Sequence, residues 1–332
     1  MRESGDLRMS APRATGKARA ALVAFAMACM AGLASAFAAT SASPTPAAGA
    51  PAAAGAASAA MRAAALRARY ASLASQLEHS PFGQRLYLES VESPHGLRGD
   101  IYALVDYPFA AVSGTFAAAP RWCDALILHL NVKYCRAGVR DQRPVLSVLL
   151  GHKYDQPLAD AFHVEFAYVL AASAPDYLEV HLDARRGPLG TQDYRIAFEA
   201  VALEVGRAFL HLRYSYDYGL EGRVAMSAYL ATAGRDKVGF TTIAGAGSDG
   251  PQYIGGARGM AERNTMRYYL AIDACLGALA APAPQRFEQS LERWFSATER
   301  HAHQLHEIDH DSYVAMKRRE YQRQQLGALP AP

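Results

Sequence analysis

The sequence predicts an α+β fold in which a curved antiparallel sheet grips a long C-terminal helix. Runs of two-residue alternation fill the middle of the chain, the links between them are short, and from about residue 262 onward the apolar period becomes helical.

Taken in order, Met61 to Gln76 reads as an Ala-rich helix carrying Arg62, Arg67 and Arg69. Arg98 to Tyr107 alternates and is stopped by Pro108. Phe109 to Ala119 then reads as helix, and Ala125 to Tyr134 returns to period two. Three further alternating runs follow at Ala161 to Leu170, Tyr177 to Arg185 and Gln192 to Leu203. In Arg207 to Tyr218 one face carries Ala208, Leu210, Leu212, Tyr214, Tyr216 and Tyr218, opposite Arg207, Phe209, His211, Arg213, Ser215 and Asp217. The links at Ala174-Pro175-Asp176 and Gly187 to Gly190 suit an antiparallel meander, and a shorter strand is expected at Asp236 to Ile243. Glu262 to Leu279 is helical. A second helix is expected from about Pro284 to Gln325, with Phe287, Leu291, Trp294, Phe295, Leu305, Ile308 and Met316 in one arc.

Ahead of this lies a leader. Arg2, Arg8, Arg13, Lys17 and Arg19 precede an apolar run from Ala20 that ends in Ala34-Ser35-Ala36-Phe37-Ala38, so residues 1–38 read as a signal peptide cut after Ala36 or Ala38. Met9 offers a second start. Two rival readings are an uncleaved membrane anchor and lipidation of Cys29. Residues 39–58 form an Ala/Pro-rich disordered linker, 59–326 a single α+β domain and 327–332 a disordered tail. The expected location is periplasmic or secreted.

Charge and cysteine content narrow the partners. Taking the leader's five basic and two acidic residues from 34 and 31 leaves 29 of each sign, so the mature chain is near neutral and the basic patch that nucleic acid requires is missing. Cys123, Cys135 and Cys275 remain after cleavage. Cys123 and Cys135 are twelve apart, either bridged or two buried free thiols, while Cys275 reads as packing.

The order of elements resembles the START-like helix-grip superfamily (SRPBCC-type) of lipid-transfer domains, polyketide cyclases and plant lipid-binding allergens. The resemblance begins near Leu86, takes in the Gly99-Asp100-Ile101-Tyr102-Ala103-Leu104-Val105-Asp106-Tyr107-Pro108-Phe109 run with its following helix and Trp122, and ends with the helix at 284–325. Residues 220–260 have no counterpart in it. The resemblance implies a ligand cavity between sheet and terminal helix and carries no catalytic residue across.

Several groups could carry chemistry. His306-Glu307-Ile308-Asp309-His310 satisfies H-E-x-x-H on a predicted helix, which would offer two imidazoles to zinc and a Glu to activate water. Asp309 and the placement of His303, His306 and His310 off the apolar arc favour a solvated face instead, with an adventitious surface metal site as the intermediate case. Gly245 to Gly250 spells G-x-G-x-x-G, but Pro251 follows and no βαβ unit surrounds it, so it reads as a loop or lid. His129, Asn131 and Lys133 share one face of the expected strand, as a wet outer surface or as the polar floor of a pocket. Arg263 and Arg267, one helical turn apart, could clamp an anionic head, or join Arg258 and Glu262 in a structural network. Tyr214 and Tyr216 read as sheet core or ligand wall. Cys123 with His129 makes no convincing nucleophile pair.

Three functions compete. The first is an exported protein that binds or transfers a small apolar or lipid-like ligand through His129, Asn131, Lys133, Tyr214, Tyr216, Arg263 and Arg267, without cofactor or nucleic acid. The second is an enzyme, as a zinc hydrolase at the His306 motif or a cyclase-like catalyst. The third is a non-catalytic envelope interaction domain.

Overall fold

The computed structural model describes residues 50–204, 206–232, 234–243 and 250–327. The leader with Cys29, most of the linker, most of the Gly245 to Gly250 motif and residues 328–332 lie outside these.

The alternating runs become strands because each has one face that must leave water. They are β1 (Leu86–Glu92), β2 (Gly96–Val105), β3 (Val132–Arg140), β4 (Arg143–Leu150), β5 (Phe162–Ala174), β6 (Tyr177–Arg186), β7 (Thr191–Ala202) and β8 (Ala208–Tyr218). All eight pair antiparallel in one curved sheet, in the order β1-β2-β8-β7-β6-β5-β4-β3. Register shifts in β3–β4, β5–β6 and β7–β8 supply the local bends that curvature needs. The β6–β7 turn places Leu189 and Gly190 at φ 57° and 73°; the second is a conformation that glycine adopts without penalty.

Helices cover both faces. On the back, α1 (Ala50–Ser72) turns Ala59, Ala63 and Leu66 onto Tyr102, Leu104, Tyr177, Val201 and Phe209, and α2 (Ala74–Glu78) adds Leu77. The helix starts at Ala50, inside the stretch expected to be a disordered linker. On the front lie α3 (Phe109–Phe116), α4 (Ala119–Leu126), α6 (Gly256–Gly277) and α7 (Arg286–Glu299), with α8 (Ala302–Leu305) and α9 (His310–Leu326) closing the chain; α5 (Leu220–Ala231) precedes α6. Between these front helices and the sheet runs the main core, which includes Ile101, Phe116, Trp122, Phe198, Leu212, Met266, Leu270, Leu291 and Trp294. The α+β, sheet-grips-helix class therefore holds.

The helix pressed onto β1, β2 and β8 is α6. Gly99 makes this possible: a Cβ there would lie 2.1 Å from Thr265 Oγ1. The single helix expected over 284–325 is broken into α7, α8 and α9. His306 takes extended backbone with ψ 128°, and Asp309 caps α9 by accepting from the Ser312 N–H at 2.9 Å. A cap of that kind starts a new helix where the apolar period alone reads as continuous.

Two strand expectations also fail. Ala125 to Tyr134 is not one strand, because α4 runs to Leu126, a turn follows, and β3 begins only at Val132. Pro120 opens α4, and Trp122 anchors it by donating from Nε1 to the Phe116 carbonyl at 2.9 Å. Asp236 to Ile243 contributes one isolated bridge, Thr242 to Tyr253, rather than a strand. Cys123 on α4 and Cys135 on β3 form a disulfide with Cα atoms 5.2 Å apart. Cys275 is a buried thiol that burial pushes up to about 12.

Candidate functional site

The turn between α4 and β3 is buried on both parities, so His129, Asn131 and Lys133 do not share a face of a strand. His129 is 2% exposed and Lys133 is fully buried. α9 pins the turn from below: Tyr313 Oη donates to the Leu128 carbonyl at 3.0 Å, and Lys317 Nζ donates to the carbonyls of His129 and Val132 at 2.7 and 2.9 Å. The Asn131 amide is spent on the Gly151 carbonyl at 2.6 Å.

His129 Nδ1 accepts the backbone N–H of Asn131 at 3.2 Å, which leaves the proton of a neutral imidazole on Nε2. That Nε2 is buried and has no hydrogen-bond partner. Burial, then the charges of Arg267, Lys317, Lys153 and Lys133, hold the imidazole well below its ordinary value, so it stays neutral.

Arg267 rises from α6 into the same region. It donates to the Leu305 carbonyl at 3.2 Å and to Glu307 at 2.9 Å, while its buried Nε finds no partner. Lys153 and Lys237 also reach Glu307, so three cations surround one carboxylate. Burial alone would raise the Glu307 carboxyl, but Arg267, Lys153 and Lys237 outweigh it and hold the group at about 2. Lys153 is pushed down to about 8, first by burial and then by Arg267. Arg263 does not converge on the same anion; its Nη1 donates to the Val238 carbonyl at 3.0 Å. Glu262 belongs to a separate network, accepting from Ser90, Thr241 and the backbone N–H groups of Phe240 and Thr241.

Lys133 is paired elsewhere. Its Nζ lies 3.1 Å from Glu320 and donates to the Tyr154 carbonyl at 2.9 Å, and Lys317 reaches the other Glu320 oxygen at 2.7 Å. Burial pushes Lys317 down to about 8 and lowers Lys133.

An aromatic path leads from His129 along the front of the sheet. Its ring stacks on Tyr268 of α6 at 4.6 Å, Tyr268 meets Tyr214 of β8 at 5.2 Å, and Tyr214 continues to Tyr194 and Tyr216 at 6.2 and 5.7 Å. Burial pushes the phenols of Tyr214, Tyr216 and Tyr268 upward, so all remain protonated donors. Tyr194 donates to Thr191 at 2.9 Å. Of the seven residues expected to meet a ligand, His129, Arg267, Tyr214 and Tyr216 are thus brought together through Tyr268. Asn131, Lys133 and Arg263 are engaged in bonds of their own.

The zinc-helix reading is corrected by this geometry. His306 lies in extended chain 3.0 Å from Glu299, His310 opens α9 beside Glu292 and Asp311, and His303 sits on α8 against Tyr253. Glu307, the would-be base, is buried under three cations. Among the described residues no group of three or more His, Cys, Asp or Glu side chains could hold a metal.

Lys153, Lys237, Tyr268, Glu307, Lys317 and Glu320 join the site without being among the seven expected ligand residues. Tyr268, one residue after Arg267, was the legible one; the lysines lie far from their partners in sequence and carry no local signal. Surface clefts lie elsewhere among the described residues. One of about 570 Å³ is lined by Gln84, Arg85, Asp106, Tyr107, Tyr269 and Asp273 among others. Another of about 580 Å³ lies between Asp155–Pro157 and the end of α9. Neither contains any of the seven expected ligand residues.

No protein family and no curated protein matches the sequence. Solved structures do show similarity. Norcoclaurine synthase from Thalictrum flavum is 13% identical, with a TM-score of 0.29 over 45% of this chain and 80% of that one. A conserved protein of unknown function from Enterococcus faecalis is 8% identical, with a TM-score of 0.30 over 63% and 91%. Human StAR-related lipid transfer protein 5 is 10% identical, with a TM-score of 0.28 over 53% and 90%. At such identities and scores, neither ligand nor chemistry is carried over to this chain.

Proposed function

We propose that this chain is an exported protein that binds or transfers a small apolar or lipid-like ligand between the β7–β8 face and α6. The observation that carries the reading is the His129–Tyr268–Tyr214–Tyr216 path: a mainly apolar aromatic wall that begins at a buried imidazole donor, His129 Nε2, without a protein acceptor. Buried donors are costly to leave unpaired, and a ligand with one polar end would satisfy them while its apolar body lies on the rings. Export is supported by the signal-peptide pattern of residues 1–38 and by the Cys123–Cys135 bond, which persists in an oxidising compartment.

Native mass spectrometry of the full chain expressed with its leader tests both parts. Expected is a mass beginning after Ala36 or Ala38, with an organic adduct that leaves on denaturation and is depleted by Tyr268→Ala. A chain that retains no adduct and takes up no apolar probe on titration would sink the binding reading, and an intact leader would sink export by cleavage.

A further inference from the structure

We propose that His129, Arg267, Lys153 and Lys237 form a subsite for a carboxylate at the head of that ligand, seated beside Glu307. This inference rests on the ligand-binding reading above and adds the chemical class of the polar end.

The cluster is unbalanced as it stands. Arg267, Lys153 and Lys237 supply three positive charges and Glu307 a single negative one. Each cation donates to Glu307, yet two buried donors in the same region, Arg267 Nε and His129 Nε2, have no acceptor. A single planar acceptor carrying one negative charge would meet both needs. It would satisfy the two spare N–H groups and bring the anionic charge to two against three. A second ammonium or guanidinium would worsen the imbalance, and a neutral hydroxyl would leave it unchanged.

Depth and position agree with a head-group site. Arg267 and Glu307 are nearly buried, while Lys153 and Lys237 retain about a quarter of their side-chain exposure, at 25% and 29%. The site is therefore reachable from one side and enclosed on the other. Its enclosed side is where His129 stacks on Tyr268, the first ring of the aromatic wall, so a carboxylate placed here directs its apolar tail along Tyr268, Tyr214 and Tyr216. Of the remaining charged groups nearby, Lys133 and Lys317 are held by Glu320, while Arg263 donates to the Val238 carbonyl and adds a further positive charge to the region.

The test is isothermal titration of the full chain with dodecanoate, dodecanol and dodecyl phosphate under one buffer. Dodecanoate is expected to bind about tenfold or more tightly than dodecanol, the usual worth of a charge-assisted pair. Lys237→Gln, at a partly exposed position, should weaken dodecanoate by about three- to tenfold and leave dodecanol unchanged. Glu307→Gln should tighten dodecanoate, because a resident anion is removed; if that variant does not fold, Lys237→Gln and Lys153→Gln still decide. Equal binding of acid and alcohol, unaffected by Lys237→Gln, overturns the carboxylate subsite while the ligand reading stands. Tighter binding of dodecyl phosphate than of dodecanoate overturns the assignment in favour of a phosphate head. Failure of all three probes to bind overturns both.

Discussion

The two faces of the sheet both bury charge, but they handle it in opposite ways. On the back, under α1, each cation has a carboxylate within ion-pair distance across β2, β8, β7 and β6. Asp100 accepts from His211 Nε2 at 2.8 Å and from Arg213 at 2.7 Å, while His211 Nδ1 lies 2.7 Å from Glu199. The single Tyr177 hydroxyl proton is shared between Glu199 and Glu179, at 2.6 and 3.1 Å, and Arg62 of α1 lies 2.8 Å from Glu179. On the front, donors outnumber acceptors: His129 is neutral among cations, and its Nε2 and the Nε of Arg267 are unused. A matched network holds one arrangement of backbone in place, here the docking of α1. A mismatched one is a place for a group that the chain itself does not supply.

The largest expected effect tests whether all front-face charge is of the mismatched kind. Glu320 is the only described carboxylate paired with both buried ammoniums, Lys133 and Lys317. Glu320→Gln should therefore cost about 3–5 kcal/mol in urea denaturation, as for a broken buried pair. A loss below about 1 kcal/mol would mean that these lysines are solvated or neutral, and the front would then hold no structural ion cluster.

Next is the bond that joins α4 to β3 and so shapes the His129 turn. Replacing both Cys123 and Cys135 by Ser should lower stability by about 3 kcal/mol on the chain-entropy account, and should also weaken uptake of apolar probes. Lost stability with undiminished uptake would separate the turn from the site.

The sharpest contrast is in pH dependence. His211 is raised above its ordinary value: burial opposes the charge, but hydrogen bonds to Asp100 and Glu199 win. Its contribution is thus fully present below about pH 6.5 and is lost as pH rises through the folded-state value. For His129 the sign reverses. The folded chain refuses the proton that the unfolded chain binds below about pH 6.5, so its contribution falls as pH falls. Stability measured from pH 5 to 9 should show His211→Gln losing most at the acid end. His129→Gln should flatten the acid-side decline. The same profile in both variants would erase the distinction between the faces.

The smallest effect is expected at the rim of α1, where Arg67 pairs with Asp176 at 2.6 Å and both side chains are well exposed. Arg67→Ala should cost less than about 1 kcal/mol by thermal or chemical unfolding. A larger loss would show that α1 is held more by its edge than by Ala59, Ala63 and Leu66.

Much of the back face could be read directly. In β8 the alternation that sets His211 and Arg213 opposite Leu212 and Tyr214 is a local property of the chain, and β5 to β7 follow the same rule with boundaries close to those expected. Strands β1 and β4 and helix α5 are not legible: α5 buries only Gly222 and so shows no apolar face, and in β1 burial alternates but residue type does not follow it, with Ser90 buried and Val91 exposed. The front site was legible only in pieces. His129, Arg267, Tyr214 and Tyr216 were marked as polar or aromatic residues in apolar settings. Which of them meet, and that Asn131, Lys133 and Arg263 are committed elsewhere, depended on partners such as Glu320, Gly151 and Val238.

By itself the sequence determined the α+β class, the antiparallel meander and the position of the cysteines, because each follows from periodicity or from residue type over a few neighbours. The tertiary structure decided that 284–325 breaks at an Asp309 cap, that the 127–131 turn is buried, that α6 is the helix the sheet grips, and that Glu307 lies beneath three cations. Those outcomes turn on contacts between residues far apart in the chain, whose burial and charge are set by neighbours that no local pattern names.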